Sequence, residues 1–510
     1  MIPKDTDFDT EVTLETASQP LPDDPPFRIL MLGDWSGREG KPLSEVLRSR
    51  PIEIDRDNFD EVLAKLSVQV ELDLNSGDEK PLLLQFNELD DFHPDNIFKQ
   101  VPMFAELREI RRRLRDENHF ESAAAEVRAW FSEEEKNSQA QETQSEPVAD
   151  QVDSGGLLDN ILDQSSGAAA ERSRTAPTSA LGKFVNKIVG SHIVRTDENE
   201  QARLVSLVDQ ATGDLMRTIL HHPRFQELEA AWRGVYLLVR RVETDVDLKI
   251  YLLDLTKQEL TGNLKSVNSL AESDYFGWVV RESVETPGGE PWAFVCGNYS
   301  FAVNVDDAAA LLRIAKISEA ANAPFISHLQ PDLFGIANFE ETPEFSKWKD
   351  AGNSDEGRLW ETIRSLPESR FLGLAMPRYL ARLPYGAKTD PTEAFDFEEF
   401  VEISEHRNYL WANPSFVCAL LLGQTYRRYG WEMSKGFQLS ISDLPTHIYS
   451  EDGETKTKPC AEILMTEPIC QKLLDEGIIP LISFKNTDRV QLGRFQSVAL
   501  PPTALGARWS

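Results

Sequence analysis

A chain of 510 residues, 41% of them hydrophobic, has enough material for about three domains at roughly 150 residues each. Its 85 acidic against 53 basic residues give a formal net charge of −32. That balance argues against sequence-independent nucleic-acid binding and against docking on anionic lipid, both of which need clustered Lys and Arg. No run approaches the roughly 20 apolar residues of a membrane span, and Met1 to Asp9 lack the basic and apolar regions of a signal peptide. The four cysteines, Cys296, Cys418, Cys460 and Cys470, are too sparse for a disulfide framework. The expectation is a cytoplasmic protein with no membrane insertion and no nucleic-acid partner.

Val12 and Leu14 alternate with Thr and Glu across residues 8–16, a strand pattern. The run Leu21 to Pro26 stops regular structure. Phe27 to Leu32 reads as a buried strand, followed by the loop GDWSGREG. Asp57 is placed to cap a short helix with Phe59, Val62, Leu63 and Leu66 on one face. A hairpin follows: Val68, Val70, Leu72 and Leu74 alternate, Asn75 to Asp78 turn, and Leu82, Leu84 and Phe86 return. After Pro94 a helical stretch turns Ile97, Val101, Phe104 and Leu107 inward, with Pro102 kinking or splitting it. It runs into the basic cluster Arg108, Arg111, Arg112, Arg113 and Arg115. These elements make a compact first unit over residues 1–131.

From Glu133 to Asp153 the chain is dominated by Glu, Gln, Ser and Asp. Such a composition cannot bury enough surface to offset the entropy of ordering, so residues 132–179 read as a disordered acidic linker. Within it Leu157, Leu158, Ile161 and Leu162 form a helical stripe in GLLDNILDQ (156–164). That stripe is either a docking helix for a partner's groove or a helix folded back on its own domain.

The second unit is expected over residues 180–510. Leu204, Val208, Ala211, Leu215 and Ile219 give one helix face. Phe225, Leu228, Trp232, Val235 and Val239 give another, with His221-His222-Pro223 as the joint. Val246, Leu248, Ile250 and Leu252 alternate as a strand, Trp292 to Val295 form a second, and Asp306 is placed to cap a helix through Leu311, Leu312 and Ala315. Short apolar runs recur at Phe325-Ile326, Phe371 to Leu374 and Ile478 to Phe484. Asn413-Pro414 opens a helix that Gly430 closes. The predicted class is α+β: two mixed α/β units, the second a mixed sheet layered with helices.

No catalytic constellation assembles from these residues. There is no G-x-x-x-x-G-K-[ST] phosphate loop, no G-x-S-x-G elbow and no C-x-x-C pair for structural zinc, so no enzyme, cofactor or metal site is expected. His221 and His222 point about 100° apart if helical and read as cap and packing rather than as ligands of one metal. Glu88 to Asp91 reads as a solvated loop, since nothing supplies the burial that shifts a pKa. In so acidic a chain the arginine cluster reads as a solvated helix face or as a patch that meets acidic subunits.

Three segments resemble, in order and spacing, the small sheath subunit of type VI secretion systems: FRILMLGDWSGRE (27–39), RPIEIDRDNFDEVLAKL (50–66) and LDDFHPDNIFKQV (89–101). Five later segments resemble the large sheath subunit. They are ILHHPRFQELEAAWRGVYLLV (219–239), NAPFIS (322–327), MPRYLARLPYG (376–386), YLWANPSF (409–416) and DLPTHIY (443–449). The whole is similar to the two subunits fused in one polypeptide.

The resemblance implies a non-enzymatic role, in which subunits polymerise into a helical tube around an inner tube and contract to propel it. The implied partners are other sheath subunits, the inner tube protein, baseplate proteins and a hexameric recycling ATPase. The small subunit's N-terminal strand corresponds to residues 8–16, so Val12 and Leu14 are the expected anchors of a strand exchanged with another subunit. The large subunit's N-terminal helix corresponds to Leu157 to Gln164. The resemblance therefore places Leu157, Leu158, Ile161 and Leu162 against the ATPase. Trp232, Arg233, Arg378 and Tyr385 are expected to be structural. The large-subunit likeness stops near residues 484–502, before the family's C-terminal domain, and the stretch between Trp431 and Leu444 lacks the family's glycine-rich segment. The alternative expectation is therefore a baseplate, cap or assembly adaptor that uses a sheath-like fold without polymerising.

Overall fold

The computed structural model describes residues 25–38, 50–74, 81–131, 200–339, 344–349, 352, 354–401, 405–451 and 453–509. Val12 and Leu14, the stripe of Leu157, Leu158, Ile161 and Leu162, the segment 132–179 and the turn from Asn75 to Asp78 lie outside the described residues.

The first half contributes β1 (Phe27–Gly33), β2 (Ile52–Ile54), β3 (Val68–Leu72) and β4 (Leu82–Phe86), with helices α1 (Phe59–Lys65), α2 (Pro94–Gln100), α3 (Pro102–Arg115) and α4 (Phe120–Phe131). Pro102 splits the helical stretch as expected: α2 ends at Gln100, Val101 is extended, and Pro102 opens α3 as its first residue. The hairpin also forms as read, with Val68 opposite Phe86 and Leu72 opposite Leu82.

The second half opens with α5 (Glu200–Leu220) and α6 (Pro223–Arg241), followed by β5 (Leu248–Asp254), α7 (Lys257–Ser266), β6 (Trp292–Phe301), α8 (Val305–Ala321) and β7 (Phe325–Leu329). It continues through α9 (Asp355–Arg364), β8 (Leu372–Met376), β9 (Tyr379–Leu380), β10 (Trp411–Ala412), α10 (Ser415–Tyr429) and β11 (Ser440–Ile441). The last elements are the hairpin β12 (His447–Glu451) and β13 (Glu454–Lys458), then α11 (Glu467–Asp475), β14 (Ile479–Ser483) and β15 (Val490–Leu492).

One mixed sheet of nine strands organises both halves, in the order β11-β15-β14-β8-β7-β6-β1-β5-β2. The six strands from β14 to β5 in that order run parallel, while β2 and β15 pair antiparallel at their flanks. The α+β class holds, with the two units meeting in a common sheet: β1 of the first half lies between β5 and β6 of the second. Both faces of β1 are covered, which is why FRILMLG is apolar at nearly every position instead of alternating with polar residues. Phe27, Ile29 and Met31 enter one core with α3, α5, α6 and α10, while Leu30 and Leu32 enter the other with α7 and α8.

Several local expectations are corrected. Asp57 does not cap α1; the N-cap residue is Asn58. The turn is tied instead by Asp55, whose carboxylate accepts the N–H groups of Asp57 (2.8 Å) and Asn58 (2.9 Å). Asp306 does not cap α8 either. Asn304 does so by accepting from Asp307 N at 2.9 Å, and Asp306 pairs with Lys265 at 2.7 Å. Val246 is 77% exposed and precedes β5, because Asp245 accepts the N–H groups of Asp247 and Leu248 and holds a turn there. Glu88 to Asp91 is no bare loop: Asp91 accepts from Asn87 N at 2.6 Å and closes a capping box with Glu88 over a short 3-10 turn.

Candidate functional site: the seam between the two halves

The residues from Gly33 to Arg38, singled out by the resemblance, form the main seam. Beyond β1 the chain turns sharply over the end of β5. Asp254 receives the turn, accepting from Trp35 N (2.9 Å), Ser36 N (3.2 Å) and Ser36 Oγ (2.7 Å), and its carboxylate forms an ion pair with Arg38, 2.9 Å away. Trp35 is fully buried and donates its indole N–H to Leu253 O at 3.0 Å. Gly37 has φ of 71°, and a Cβ there would stand 2.0 Å from Gln69 O, so only glycine fits. Asp34 accepts from Arg38 N at 2.9 Å. Burial, with the neighbouring Asp254 and Glu259 carboxylates adding to it, raises the Asp34 pKa.

A second seam lies under α6. Glu229, fully buried, accepts from Arg382 Nε at 2.8 Å and from Arg233 Nε at 2.7 Å. Arg382 also donates to Glu399 at 2.7 Å, and Arg233 donates to the Tyr385 hydroxyl at 2.9 Å. His221 Nε2 stands 3.3 Å from Glu399 Oε1. Burial alone pushes the Glu399 carboxyl up, but the Arg382 guanidinium and His221 outweigh it and hold the pKa down at about 2. Buried charges are costly unless paired and hydrogen-bonded, and here two guanidinium and two carboxylate groups satisfy one another. Arg233 and Tyr385 are structural members of this cluster, as expected. Glu229, Glu399 and Arg382 were missed, and their signal was faint: charged residues inside otherwise apolar segments.

The segment from Pro384 to Val401, which contains no helix or strand, straps the first half to the second. Asp95 at the start of α2 accepts from Glu393 N (2.9 Å) and Ala394 N (2.9 Å). Phe395 stacks on Phe98 at 4.7 Å. His222 does act as a cap, accepting from Arg224 N at 3.3 Å. The arginine cluster on α3 meets carboxylates of its own chain: Arg111 pairs with Asp209 on α5, Arg113 with Glu126 and Arg112 with Glu109. Arg378 is anchored on buried Glu462 at 2.7 Å, and Trp232 donates to Trp35 O.

The comparisons agree with a two-part chain. Residues 202–499 match the VipB (EvpB) tail sheath N-terminal domain, and residues 11–142 match the VipA family of the type VI secretion system. The type VI secretion system sheath protein TssC1 of Pseudomonas aeruginosa is 35% identical over 304 residues, which is 58% of this chain and 61% of that protein. The chain therefore spans less than two thirds of that relative's length. With more than half of its residues inside the VipB match and a VipA-type segment ahead of them, the chain belongs to the type VI secretion tail-sheath family as a fusion of its two subunits.

Proposed function

We propose that this chain is a structural subunit of a contractile sheath that packs with other sheath subunits around an inner tube and contracts to propel it. The observation that carries the reading is the position of β1, a strand of the VipA-type half seated between two strands of the VipB-type half. A central strand buried on both faces leaves only by opening two ladders and two cores, so the halves move as one block, which suits a part that transmits force. Fusion fixes a one-to-one ratio of the halves and raises the effective concentration of each for the other. The role is mechanical rather than enzymatic, and its place is the cytoplasm.

Further contacts follow from the same reading. Residues 8–16, anchored by Val12 and Leu14, add a strand to a neighbouring subunit's sheet edge. Leu157, Leu158, Ile161 and Leu162 present a helix to a hexameric recycling ATPase, and the inner tube and baseplate proteins complete the partners. Negative-stain electron microscopy of the purified chain tests the assembly, with rings or tubes expected. Discrete single particles at every concentration, with and without inner tube protein, would sink the sheath reading. Replacing Leu158 and Ile161 by Asp should abolish ATPase pull-down while leaving the far-ultraviolet circular dichroism unchanged. Undiminished pull-down removes the docking role.

A further inference from the structure

The carboxyl ends of β1, β5 and β6 open onto a cleft of about 750 Å3, which shares Ser300, Gln330 and Arg378 with an adjoining cavity of about 360 Å3. This is the switch point of the parallel sheet, where β1 has β5 on one side and β6 on the other, and open α/β sheets bind ligands at that position. The volume falls within the range of small-molecule sites. Both halves build the wall: Asp34 and Arg38 come from the first, Lys257 and Arg378 from the second.

The charges of this wall are layered. Arg38 over Asp254 is 18% exposed against 11%, Lys257 over Asp307 30% against 11%, and Arg378 over Glu462 40% against 5%. In each pair the cation is the outer partner. The carboxylates beneath are also bound by backbone amides: Asp254 by Trp35 N, Asp307 by Ala302 N at 2.8 Å and Glu462 by Arg378 N at 2.8 Å. Their negative charge is thus spread over donors below the surface, while Arg38, Lys257 and Arg378 line the cleft. Arg224 adds a fourth cation and Glu227 an opposing charge, while Glu259 lies under Arg38. Asp34 is shifted toward its neutral form, chiefly by burial. The side-chain amides of Gln258, Asn298 and Gln330 also line the cleft. In the adjoining cavity His328 is 4% exposed, and its Nε2 has no hydrogen-bond partner among the described residues.

We propose that this cleft binds a compact polyanion, a small molecule carrying two or more phosphate or carboxylate groups, held between Arg38 of the first half and Lys257 and Arg378 of the second. Because the wall exists only where the halves meet, the ligand stabilises their union.

Titration calorimetry of the full chain at low ionic strength tests this, with pyrophosphate as the first probe and citrate as the second. Saturable binding of one equivalent of pyrophosphate is expected, weakening as salt screens it. Gln330→Glu and Gln258→Glu each place a negative charge on the wall without touching an ion pair. Each should weaken binding about tenfold with the circular dichroism unchanged. Citrate binding alongside pyrophosphate supports the shared polyanion chemistry; binding of pyrophosphate alone narrows it to phosphate. No saturable heat with either probe, or affinity unchanged in both variants, overturns the proposal.

Discussion

Trp232 on α6 donates its indole N–H to the backbone carbonyl of Trp35 at 2.9 Å, and the two rings meet edge to face at 6.3 Å. Both side chains are fully buried. The bond satisfies a carbonyl of the buried turn after β1, and it joins helix α6 of the second half to the end of the first half's central strand. Trp232→Phe leaves that carbonyl unpaired and opens a void beside Phe59 and Trp35. The expected loss is about 2–4 kcal/mol, from the unmade hydrogen bond and the cavity together. Urea unfolding reads it directly, and an unchanged midpoint would show that the contact is incidental.

The shared sheet predicts that the peptide connection between the halves is dispensable once folding is complete. A site-specific protease sequence inserted between residues 132 and 199 should, after cleavage, leave two fragments that elute together from gel filtration without denaturant. Separation into two peaks would show that β1 is held by tethering and not by its ladders with β5 and β6.

Asp95 offers one carboxylate to two consecutive N–H groups of the strap, those of Glu393 and Ala394. Charge-assisted bonds of this kind contribute about 1.5–3 kcal/mol. Asp95→Ala should release the strap between Pro384 and Val401 and speed limited proteolysis there, with a smaller effect from Asp95→Asn. Equal cleavage rates in wild type and Asp95→Ala would remove Asp95 as the clasp.

Acid should unfold the protein in two stages. Burial, reinforced by the Arg378 guanidinium, pushes the His328 imidazole down from 6.5 to about 3. The unfolded chain therefore takes up that proton first, and the His328 contribution is complete above about pH 6.5 and declines as pH falls toward 3. Glu399 is depressed from 4.5 to about 2, so its contribution is complete above about pH 4.5 and declines toward 2. Stability should start to drop below pH 6.5 and fall more steeply below 4.5. His328→Gln should remove about 2 kcal/mol of the loss between pH 6.5 and 5. A variant whose pH profile parallels wild type in that window would rule out His328 as the first group to titrate.

Much of the local structure could be read from the chain. FRILMLG announces a strand buried on both faces, the alternation from Val68 to Phe86 announces a hairpin, and Pro102 announces a helix break. Each depends only on steric and hydrophobic patterns a few residues long. Caps were less legible, because Asp57 competes with Asp55 and Asn58, and Asp306 with Asn304, for the same few N–H groups. The choice between such neighbours turns on backbone angles that the sequence leaves open.

The sequence by itself determined the elements, the α+β class, the acidic character and the likeness to two sheath subunits. Tertiary structure alone decided that β1 enters the second half's sheet, because its partner Asp254 stands 219 positions from Trp35 and no local period encodes a pairing over that span. It also decided that Glu229 is a core residue. On its helix Glu229 shares the face of Phe225 and Trp232, and its burial is tolerable because Arg382, 153 positions away, arrives with two hydrogen bonds and Arg233 adds another. Hydrophobic periodicity is local, whereas the compensation of a buried charge depends on which distant group folding brings beside it.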